Sequence, residues 1–458
     1  MKLSGLLFAA ALLGSCTQPA AEENYTRHVD PKIGTGGHGH VFVGANVPFG
    51  LVQVGPTSIP QTWDWCSGYH ASDSTVIGFS HTHLSGTGIG DLFDITVMPV
   101  VGEVTYARGE ENDPASGLWS YADRTREITK PGYYSVPLVR YGITAELTAT
   151  ERVGLHRYTF PASDAAAVVF DLENGGCWDK ATDTGFRFSD DSTRIAGWRC
   201  STGWAKNQEV YFVAEFSKPA KGISYLQPGE IDDSKMPRIA ARYARVDFDT
   251  AEGEQVLVKV ALSPVSIEGA KANLAAELPG WDFDATAAAA DKAWNDELSK
   301  VKIETEDETS KRIFYTALYH TMVAPSLFCD VNGDYRGADG KVHENPGRDT
   351  YTTFSLWDTY RAAMPLMTVL HPERMPDIIQ TMLHIADEQG RLPVWHLWGN
   401  ETDCMVGNPG IVAVADAIVK GIGGFDREKA FETIRKTAMN PDRGNGLRME
   451  YGYIPCEM

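Results

Sequence analysis

The sequence has few basic residues for its number of acids. It contains 41 Lys and Arg against 61 Asp and Glu, which gives a formal net charge of −20. Nucleic-acid binding needs a basic surface that neutralises phosphates, and anionic lipid likewise attracts basic segments. The charge therefore argues against a nucleic-acid partner and against electrostatic binding to a membrane.

Several short motifs are also missing. The absence of Cys-x-x-Cys disfavours a structural zinc site. The absence of Gly-x-Ser-x-Gly, His-Glu-x-x-His and the kinase motifs disfavours three enzyme classes: serine hydrolases with a nucleophile elbow, zinc proteases and protein kinases. There is no repeat of fixed period, which disfavours a solenoid of the tetratricopeptide type.

Length and composition place the chain among ordinary globular proteins. It has 458 residues, of which 43% are apolar and 22% charged, and this length is enough for about two to four domains. The composition excludes a disordered chain, a collagen-like chain and a short scaffold held together by disulfides.

The N-terminus reads as an export signal. Lys2 precedes a short apolar run, 3–13, that is rich in Leu, Ala and Gly and is shorter than the about 20 residues that span a bilayer. This pattern is typical of a signal peptide. The segment 13–16 resembles a bacterial lipobox, which implies lipidation of Cys16; the alternative is an ordinary signal peptide with an incidental cysteine. We expect residues 1–23 to be signal peptide and tether. We therefore expect an exported lipoprotein of the periplasm, outer membrane or cell surface, which meets the membrane only through its lipid.

Six cysteines remain after Cys16. An exported protein can form disulfides, and six cysteines allow fifteen complete pairings, among which the sequence does not choose. They are Cys66, Cys177, Cys200, Cys329, Cys404 and Cys456.

Residues 24–270 carry the alternating pattern of β-strands. In 255–262 every second residue is apolar, from Val256 to Leu262, and 209–216 repeats this pattern. Alternation of period two, broken often by Gly and Pro, indicates antiparallel sheets. We predict an N-terminal antiparallel β-sandwich.

The rest of the chain is predicted to be helical. Residues 271–304 are rich in Ala and predict a helical linker, and 305–458 predicts successive amphipathic helices. Residues 305–308 fit a capping box, and Gly390 and Gly421 occupy C-cap positions. Further helices are expected near 354–369, 374–388, 409–421 and 427–438.

These helices suggest a helical toroid, but the segment is too short to complete one. A closed ring of six helix pairs needs twelve helices, which at about 11–12 residues each exceed 305–458. Residues 449–458 carry apolar and aromatic groups and no polar tail. We therefore expect an incomplete (α/α)6 barrel, with the chain ending inside a domain.

Two His pairs and a glycine-rich segment precede or interrupt the β pattern. Residues 33–40 look like a phosphate loop but lack its Lys-Ser/Thr, so a turn that approaches a ligand closely is the better interpretation. His38 with His40, and His81 with His83, are spaced so that each pair shares one face of a strand. They could bind a metal, but the favoured interpretation is hydrogen bonding or a place in a sugar site.

Two further segments carry residue types that bind sugars. Residues 63–70 hold aromatic rings, Asp and His, which can stack on a pyranose and bond its hydroxyls; the alternative is a loop packed on the core. Residues 354–361 open a helix in which Asp358 and Arg361 are three apart. That pair either clamps vicinal hydroxyls or forms a surface ion pair.

The segment 395–404 resembles the rim of a pocket. It contains two Trp, then Glu401 and Asp403 in a loop with glycine. Paired carboxylates carry out glycoside hydrolysis, although with 61 acids in the chain such a pair is not specific. Ligand contact is favoured over direct catalysis, and a solvated loop is the remaining alternative.

Taken together, these segments resemble glycoside hydrolase family 92, the exo-acting α-mannosidases. The order and spacing of the matches hold from about residue 28 to the end. The matching stretches are 29–40, 47–50, 63–64, 66–70, 78–88, 203–205, 207–208, 216–219, 355–361 and 399–404.

The resemblance implies a fold and a reaction. The fold is an N-terminal β-sandwich, a helical linker and an (α/α)6 barrel, with the active site between them. The reaction is hydrolysis of terminal α-mannosidic bonds with inversion, with a Glu as general acid, an Asp as general base and Ca²⁺ bound to the mannose hydroxyls. Inversion needs the two carboxyls about 6.5–9.5 Å apart.

The resemblance assigns only part of the family's site to residues of this chain. Trp63 matches an aromatic residue beside the leaving-group sugar, and Asp358, supported by Arg361, matches an Asp on the bound mannose. Trp398 and Glu401 are weaker candidates at the pocket rim.

The family's acid, base and principal calcium ligands follow the motif matched by 452–455. We therefore assign no catalytic or metal-binding residue in this chain, expect those residues beyond Met458, and expect an N-terminal fragment that is inactive alone. The sequence departs from common members at 364–365 and 407–410, so linkage preference stays open, with α-1,2 favoured. The alternatives are a non-catalytic glycan-binding surface lipoprotein and, less favoured, another (α/α)6 enzyme such as a disaccharide phosphorylase or glucoamylase.

Overall fold

The computed structural model describes residues 23–175, 178–187, 192–227 and 238–456. The predicted signal peptide and the lipid attachment at Cys16 lie outside these ranges, as does Cys177. Among the described helices, none combines the length and apolar character needed to cross a bilayer. The five cysteines inside these ranges are present as thiols.

The first half of the chain forms two large antiparallel sheets. Their orders are β1-β3-β4-β10-β16-β14 and β15-β11-β12-β13-β17-β9-β8-β7-β6, with β2 and β5 as a separate pair. The strands are β1 (Gly55–Thr57), β2 (Thr75–Val76), β3 (Gly78–Ser80), β4 (Thr96–Val101), β5 (Ser120–Tyr121), β6 (Ile128–Lys130), β7 (Tyr133–Leu138), β8 (Ile143–Ala149), β9 (Val153–Phe160), β10 (Ser163–Asp171), β11 (Lys180–Arg187), β12 (Arg194–Thr202), β13 (Gln208–Phe216), β14 (Gly222–Leu226), β15 (Arg238–Ile239), β16 (Tyr243–Thr250) and β17 (Glu254–Ser263).

The two sheets pack face to face through the predicted apolar faces. Phe170 of β10 stacks on Phe212 of β13 with ring centroids 5.9 Å apart, and Phe216 meets Phe248 edge to face at 5.8 Å. The alternating residues of β17 all lie in this core, fully buried. The strand pairs of both sheets run antiparallel, which confirms the predicted antiparallel sheets.

Two helices follow the sheets. They are α1 (Ile267–Glu277) and α2 (Phe283–Leu298). Helix α1 begins four residues before the predicted linker boundary and covers the outer face of the nine-stranded sheet, where Ile267, Ala270 and Leu274 pack with Val213 and Ala261. The linker thus forms a third layer on the β domain.

The remaining residues form a helical domain with short strands between the helices. The helices are α3 (Glu308–His320), α4 (Leu356–Thr359), α5 (Ala363–Leu370), α6 (Met375–Gln389), α7 (Pro409–Val419), α8 (Arg427–Ala438) and α9 (Asn445–Tyr451). The strands are β18 (Ser326–Leu327), β19 (Tyr335–Arg336), β20 (Val342–His343), β21 (Tyr351–Thr352), β22 (Phe354–Ser355), β23 (Trp395–Leu397) and β24 (Asn400–Glu401). Helix α7 packs against α4, α5, α6 and α8. A helical C-terminal domain is confirmed, and its closure into an (α/α)6 ring stays a prediction.

Two local predictions need correction. The expected helix at 354–369 is divided: β22 pairs with β23, and α4 and α5 are separated by Ala362, whose φ of −130° interrupts the helix. The cap of α3 is Asp307, whose carboxylate accepts the amide of Thr309 at 3.0 Å, and not Thr305. The glycine cap at Gly390 is confirmed, with φ +90°.

The β and helical halves share one continuous core. The backbone of Phe49 bonds on both sides to the helical half, donating to Met322 and accepting from Leu327, each at 2.8 Å. The indole of Trp294 donates to the carbonyl of Asn46 at 2.7 Å. These buried bonds fix the two halves in one orientation, so a site at their junction is held by both.

Candidate functional site

A cleft of about 260 Å³ lies where the two halves meet. The β half contributes the loop 85–87, and the helical half contributes the end of α3, the turn before α4 and the floor residue Trp395. The lining residues are Ser85, Gly86, Thr87, His320, Thr321, Ala324, Pro325, Thr353, Phe354, Ser355, Asp358, Thr359, Ala363, Met364 and Trp395.

Asp358 is the carboxylate in this lining. Strand β22 ends at Ser355, which precedes the first residue of α4, so Asp358 stands in the first helical turn. The Ser355 hydroxyl donates to its Oδ2, and the side chain is exposed to the cleft. An exposed carboxylate beside several hydroxyls can accept hydrogen bonds from a polyhydroxylated ligand.

Arg361 does not meet Asp358. Helix α4 ends at Thr359, so the two residues are not on one helical face. Among the described residues Arg361 takes part in no ion pair, is exposed, and is not part of the cleft lining. The predicted Asp358–Arg361 pair is therefore wrong, because the helix on which it depended is interrupted.

Trp63 lies beside the cleft. It begins a short 3₁₀ helix, and its indole donates to the carbonyl of Gly88 at 2.9 Å, directly after the cleft loop. A Cβ on Gly88 would lie 2.4 Å from the indole ring, so only glycine allows this approach. The ring is 49% exposed. An exposed, anchored aromatic face next to a polar cleft is suited to stacking on a sugar.

Three of the four histidines in these pairs, His38, His81 and His83, make a hydrogen bond, while Nε2 of His40 has no hydrogen-bond partner among the described residues. His38 Nδ1 lies 2.5 Å from Asp64 Oδ1, and His40 Nε2 lies 3.4 Å from the same oxygen. His81 and His83 are fully buried. Burial lowers the pKa of His81 to about 4 and that of His83 to about 3, so both rings are neutral at neutral pH. These contacts agree with the favoured hydrogen-bonding interpretation.

His81 belongs to a chain of buried hydrogen bonds. Its Nδ1 lies 2.6 Å from the carbonyl of Ile95 and must donate, so its Nε2 accepts from Nε2 of His156 at 2.9 Å. His156 Nδ1 then accepts from the hydroxyl of Tyr158 at 2.7 Å. Each ring nitrogen of His81 and His156 is hydrogen-bonded within the core, so these two histidines serve the fold.

Backbone amides donate hydrogen bonds to the carboxylate of Glu401. Its two carboxylate oxygens accept the amides of Val394 at 2.8 Å and Trp395 at 2.9 Å, closing the β23–β24 hairpin. Trp398 is 3% exposed and packs edge to face on Phe328 at 5.3 Å. Neither residue lines the cleft, so their placement gives no support to the predicted sugar contacts.

Asp403 is likewise paired within the protein. It forms ion pairs with Arg391 and Arg443. Glu401 and Asp403 therefore stabilise the hairpin and its neighbours.

The described residues offer one group with the donor set for a metal: Glu297, His371 and Glu373. Lys300 already supplies the positive charge there, with its Nζ at 2.8 Å from Glu297, 2.9 Å from Glu373 and 3.2 Å from His371. Burial alone would raise the pKa of Glu297, but bonds from His371 and Lys300 outweigh it and lower the pKa to about 2. Calcium prefers about six to eight oxygen ligands, so this group does not fit it.

The structure brings together residues that the sequence did not select. His320 and Thr353 line the cleft, and Trp204 packs from the β half on Trp395, which belongs to the predicted pocket-rim segment 395–404. The sequence held one usable signal, since 203–205 belongs to the stretches that resemble the family. The other residues of the cleft are brought together by pairing between segments that are distant in the sequence.

The β domain and the helical domain thus meet at a cleft with an aromatic floor, hydroxyl groups and one carboxylate, a combination suited to a carbohydrate ligand. Residues 28–263 match the glycosyl hydrolase family 92 N-terminal domain, and residues 269–458 match the family 92 catalytic domain. The chain belongs to glycosyl hydrolase family 92. Membership in this family replaces the alternative of a disaccharide phosphorylase or glucoamylase.

Solved structures of family members resemble this chain closely. It is 37% identical to the GH92 α-mannosidase BT3965 of Bacteroides thetaiotaomicron in complex with mannoimidazole, with a TM-score of 0.90, covering 95% of this chain and 58% of that one. It is 27% identical to the inverting mannosidase BT2199 of the same organism, with a TM-score of 0.81, covering 96% of this chain and 59% of that one.

A curated relative shows the same partial overlap. An uncharacterized secreted glycosidase of Arthroderma benhamiae is 25% identical over 492 residues, which cover 98% of this chain and 58% of that protein. The chain thus spans a little under three-fifths of the length of these relatives.

Proposed function

We propose that this chain is the sugar-binding part of a glycoside hydrolase that removes terminal α-linked mannose from N-glycans or mannans with inversion and with the help of Ca²⁺. The observation that carries the proposal is the cleft between the two halves, with Asp358 exposed inside it and Trp63 beside it. A relative of 37% identity was solved with mannoimidazole.

The roles of the two residues follow from their places. Asp358 would bond hydroxyls of the bound mannose, because its carboxylate faces the cleft with a free oxygen beyond the Ser355 bond. Trp63 would stack on the leaving-group sugar, because its half-exposed ring lies beside the cleft loop and is held there by its indole nitrogen and by contacts with His38 and His40. The predicted role of Arg361 in supporting Asp358, and those of Trp398 and Glu401 at the pocket rim, stay predictions.

The acid and base are proposed to come from outside this chain. Inverting hydrolysis needs two carboxyls about 6.5–9.5 Å apart with room for water, and the cleft lining contains only Asp358 among the described carboxylates. Glu401 and Asp403 are occupied by amides and arginines. We therefore expect the 458-residue chain alone to be inactive.

Calcium would act on the mannose hydroxyls in the complete site. The described residues do not fit the ion, so its ligands are also proposed to lie in the part of the family's catalytic domain that this chain does not span. This chain's own residues would orient the sugar and exclude water from one side of it.

Release of mannose tests the proposal. α-1,2-Mannobiose would be incubated with this chain and with a version extended through the downstream reading frame, each with and without a chelator. Activity only in the extended form, lost on chelation, is expected; 1,3-, 1,4- and 1,6-linked disaccharides serve as the comparison for linkage. Activity of the 458-residue chain itself would overturn the assignment of the acid and base.

The second candidate function is a non-catalytic glycan-binding surface lipoprotein. It would use the same cleft and Trp63 without an acid or base. Sugar binding without hydrolysis by the extended form would favour it. Membrane fractionation of wild type and Cys16→Ser tests the lipid anchor, which is expected to be lost in the variant.

A further inference from the structure

His320 lies at the end of α3, in the wall of the cleft. Its ring tilts against Tyr319 with centroids 5.5 Å apart. Its Nε2 is buried and has no hydrogen-bond partner among the described residues. Buried polar atoms are nearly always partnered. Buried imidazole nitrogens without a partner also occur in His40, His70, His83, His384 and His396, but of these histidines only His320 lies in the wall of the cleft, where a group arriving from outside can supply the partner.

The ring is uncharged under ordinary conditions. Burial lowers the pKa of His320 to about 4. A neutral imidazole offers one donor and one acceptor. It can therefore bond a hydroxyl group in either direction, but it provides no positive charge for an anion.

The other polar groups of the lining have the same character, beside apolar surface from Ala324, Pro325, Phe354, Ala363, Met364 and Trp395. Hydroxyls come from Thr87, Thr321 and Ser355, and the negative charge of Asp358 adds an acceptor. Within the described part of the chain, no Lys or Arg lines this cleft. Hydroxyls and a carboxylate suit a neutral sugar, and the same carboxylate repels a phosphate or sulfate group.

Thr353 marks the cleft as a place where the backbone is strained. It stands between β21 and β22 with φ +62°, in the left-handed region that β-branched residues rarely adopt. Its hydroxyl lies 3.5 Å from that of Ser326. Such strained residues gather at ligand sites, where surrounding structure holds them. This observation is independent of the unpartnered nitrogen of His320.

We propose that His320 is a sugar-binding residue of this cleft, bonding a hydroxyl of a neutral terminal hexose, and that the cleft excludes sugars carrying phosphate or sulfate. The inference rests on the proposed function and deepens it. It names a contact residue and the charge class of the substrate.

Titration calorimetry of the 458-residue chain at neutral pH tests the contact. Mannoimidazole would be titrated into wild type, His320→Ala, His320→Gln and His384→Ala. His384 is the matched control, because its Nδ1 is also buried and unpartnered and its ring stacks on Tyr335 at 5.9 Å, away from the cleft. We expect His320→Ala to weaken binding about tenfold, the loss of one hydrogen bond. His320→Gln should recover part of it, and His384→Ala should match wild type. Equal binding by His320→Ala and wild type would overturn the contact.

Mannose and mannose 6-phosphate test the charge class. We expect the phosphate to bind at least about tenfold more weakly than mannose, since like charges at the site repel. Equal or tighter binding of the phosphate would overturn this part of the inference.

A wild-type chain that binds neither sugar would overturn the proposed function instead. The melting temperature of His320→Phe then decides the role of the residue. Because the imidazole bonds to no described group, the Phe variant should melt at or above the wild-type temperature. A lower melting temperature would show that the ring nitrogens serve the fold, and would overturn the inference.

Discussion

The rings of Trp204 and Trp395 meet edge to face, with centroids 4.7 Å apart, across the junction between the β half and the helical half. Trp395 is the floor of the cleft. The loop that carries Trp204 is held from within the β domain, where Asp91 Oδ2 accepts the amide of Ala205 at 2.8 Å. The β domain therefore supports the floor of the cleft as well as contributing loop 85–87.

The side chain of Asn400 is expected to be a main connection between the β half and the helical half beside this floor. Its side chain accepts the amide of Asn207 at 3.0 Å, donates to the carbonyl of Asn207 at 2.9 Å and donates to the carbonyl of Trp398 at 2.7 Å. Asn400→Ala should lower the free energy of unfolding by about 1–3 kcal/mol, measured by urea denaturation. Asn207→Ala is the matched control, because Asn207 bonds to Asn400 only through its backbone. Equal effects of the two variants would contradict this assignment.

Trp63 is expected to contribute to binding and little to stability. Its ring is 49% exposed, so Trp63→Ala should leave the melting temperature within about a degree or two of wild type. It should weaken binding of α-1,2-mannobiose about three- to tenfold, the value of an aromatic contact, while mannose itself is affected less. Trp178→Ala, which removes another exposed Trp, is the comparison; a similar loss there would argue against a specific role for Trp63.

Stability is expected to fall as the pH falls from 7.5 to about 5.5. Burial lowers the pKa of His81, His83, His320 and His396 to between about 3 and about 4, so over this interval these rings gain protons only in the unfolded chain, and each costs roughly 1 kcal/mol. Three buried carboxyls oppose this fall. Burial raises the pKa of Asp91, Asp171 and Asp330 to about 6. The folded chain then holds these protons more tightly than the unfolded chain, so the stabilising contribution is complete below an unfolded pKa of about 3.9 and is lost as the pH rises through 6.

Each of these carboxyls should offset roughly 1 kcal/mol of the fall over that interval, so Asp91→Asn should make the fall steeper. Glu297, with a pKa lowered to about 2, adds a further loss as the pH falls from about 4 to 2. Thermal unfolding across pH 3–8 would measure these effects, and a stability that rises as the pH falls from 7.5 to 5.5 would contradict the prediction.

Calcium and chelators are expected to leave this chain's melting temperature unchanged. Lys300 already lies between Glu297, His371 and Glu373, and an ammonium group excludes a divalent cation from the same space. Lys300→Met removes it and should lower stability at neutral pH by about 1–3 kcal/mol, because three partners then lose their shared donor. Differential scanning fluorimetry with excess CaCl₂ or EDTA makes the comparison, with a calcium-dependent rise in wild type as the contrary result.

Patterns within one strand or helix predicted the fold well. Alternation in β17 predicted which side chains face the other sheet, since a strand shows its burial directly in period two. The glycine at Gly390 marked the end of α6 because only its left-handed conformation fits there. Such signals depend on neighbours in sequence and need no knowledge of distant segments.

The site was harder to predict because its residues are defined by pairing between distant segments. Nothing local to 354–369 shows that Phe354 pairs with His396 in a sheet and so delays the start of the expected helix. Glu401 has the residue type of a catalytic acid, but its partners are backbone amides, which every residue possesses. His320 was overlooked because the loss of a hydrogen-bond partner is a property of the folded chain.

The position of α1 determines where the β domain can be cut. Central strands β13 and β17 bury side chains on both faces, and α1 covers the outer one with Ile267, Ala270 and Leu274. A polypeptide ended at Ser263, where the match to the N-terminal domain stops, would expose that apolar face to water and to other copies of itself. One continued through Leu298 would keep it covered. The boundary between the two family domains in the sequence therefore separates the nine-stranded sheet from the helix that keeps its outer face covered and the β domain soluble.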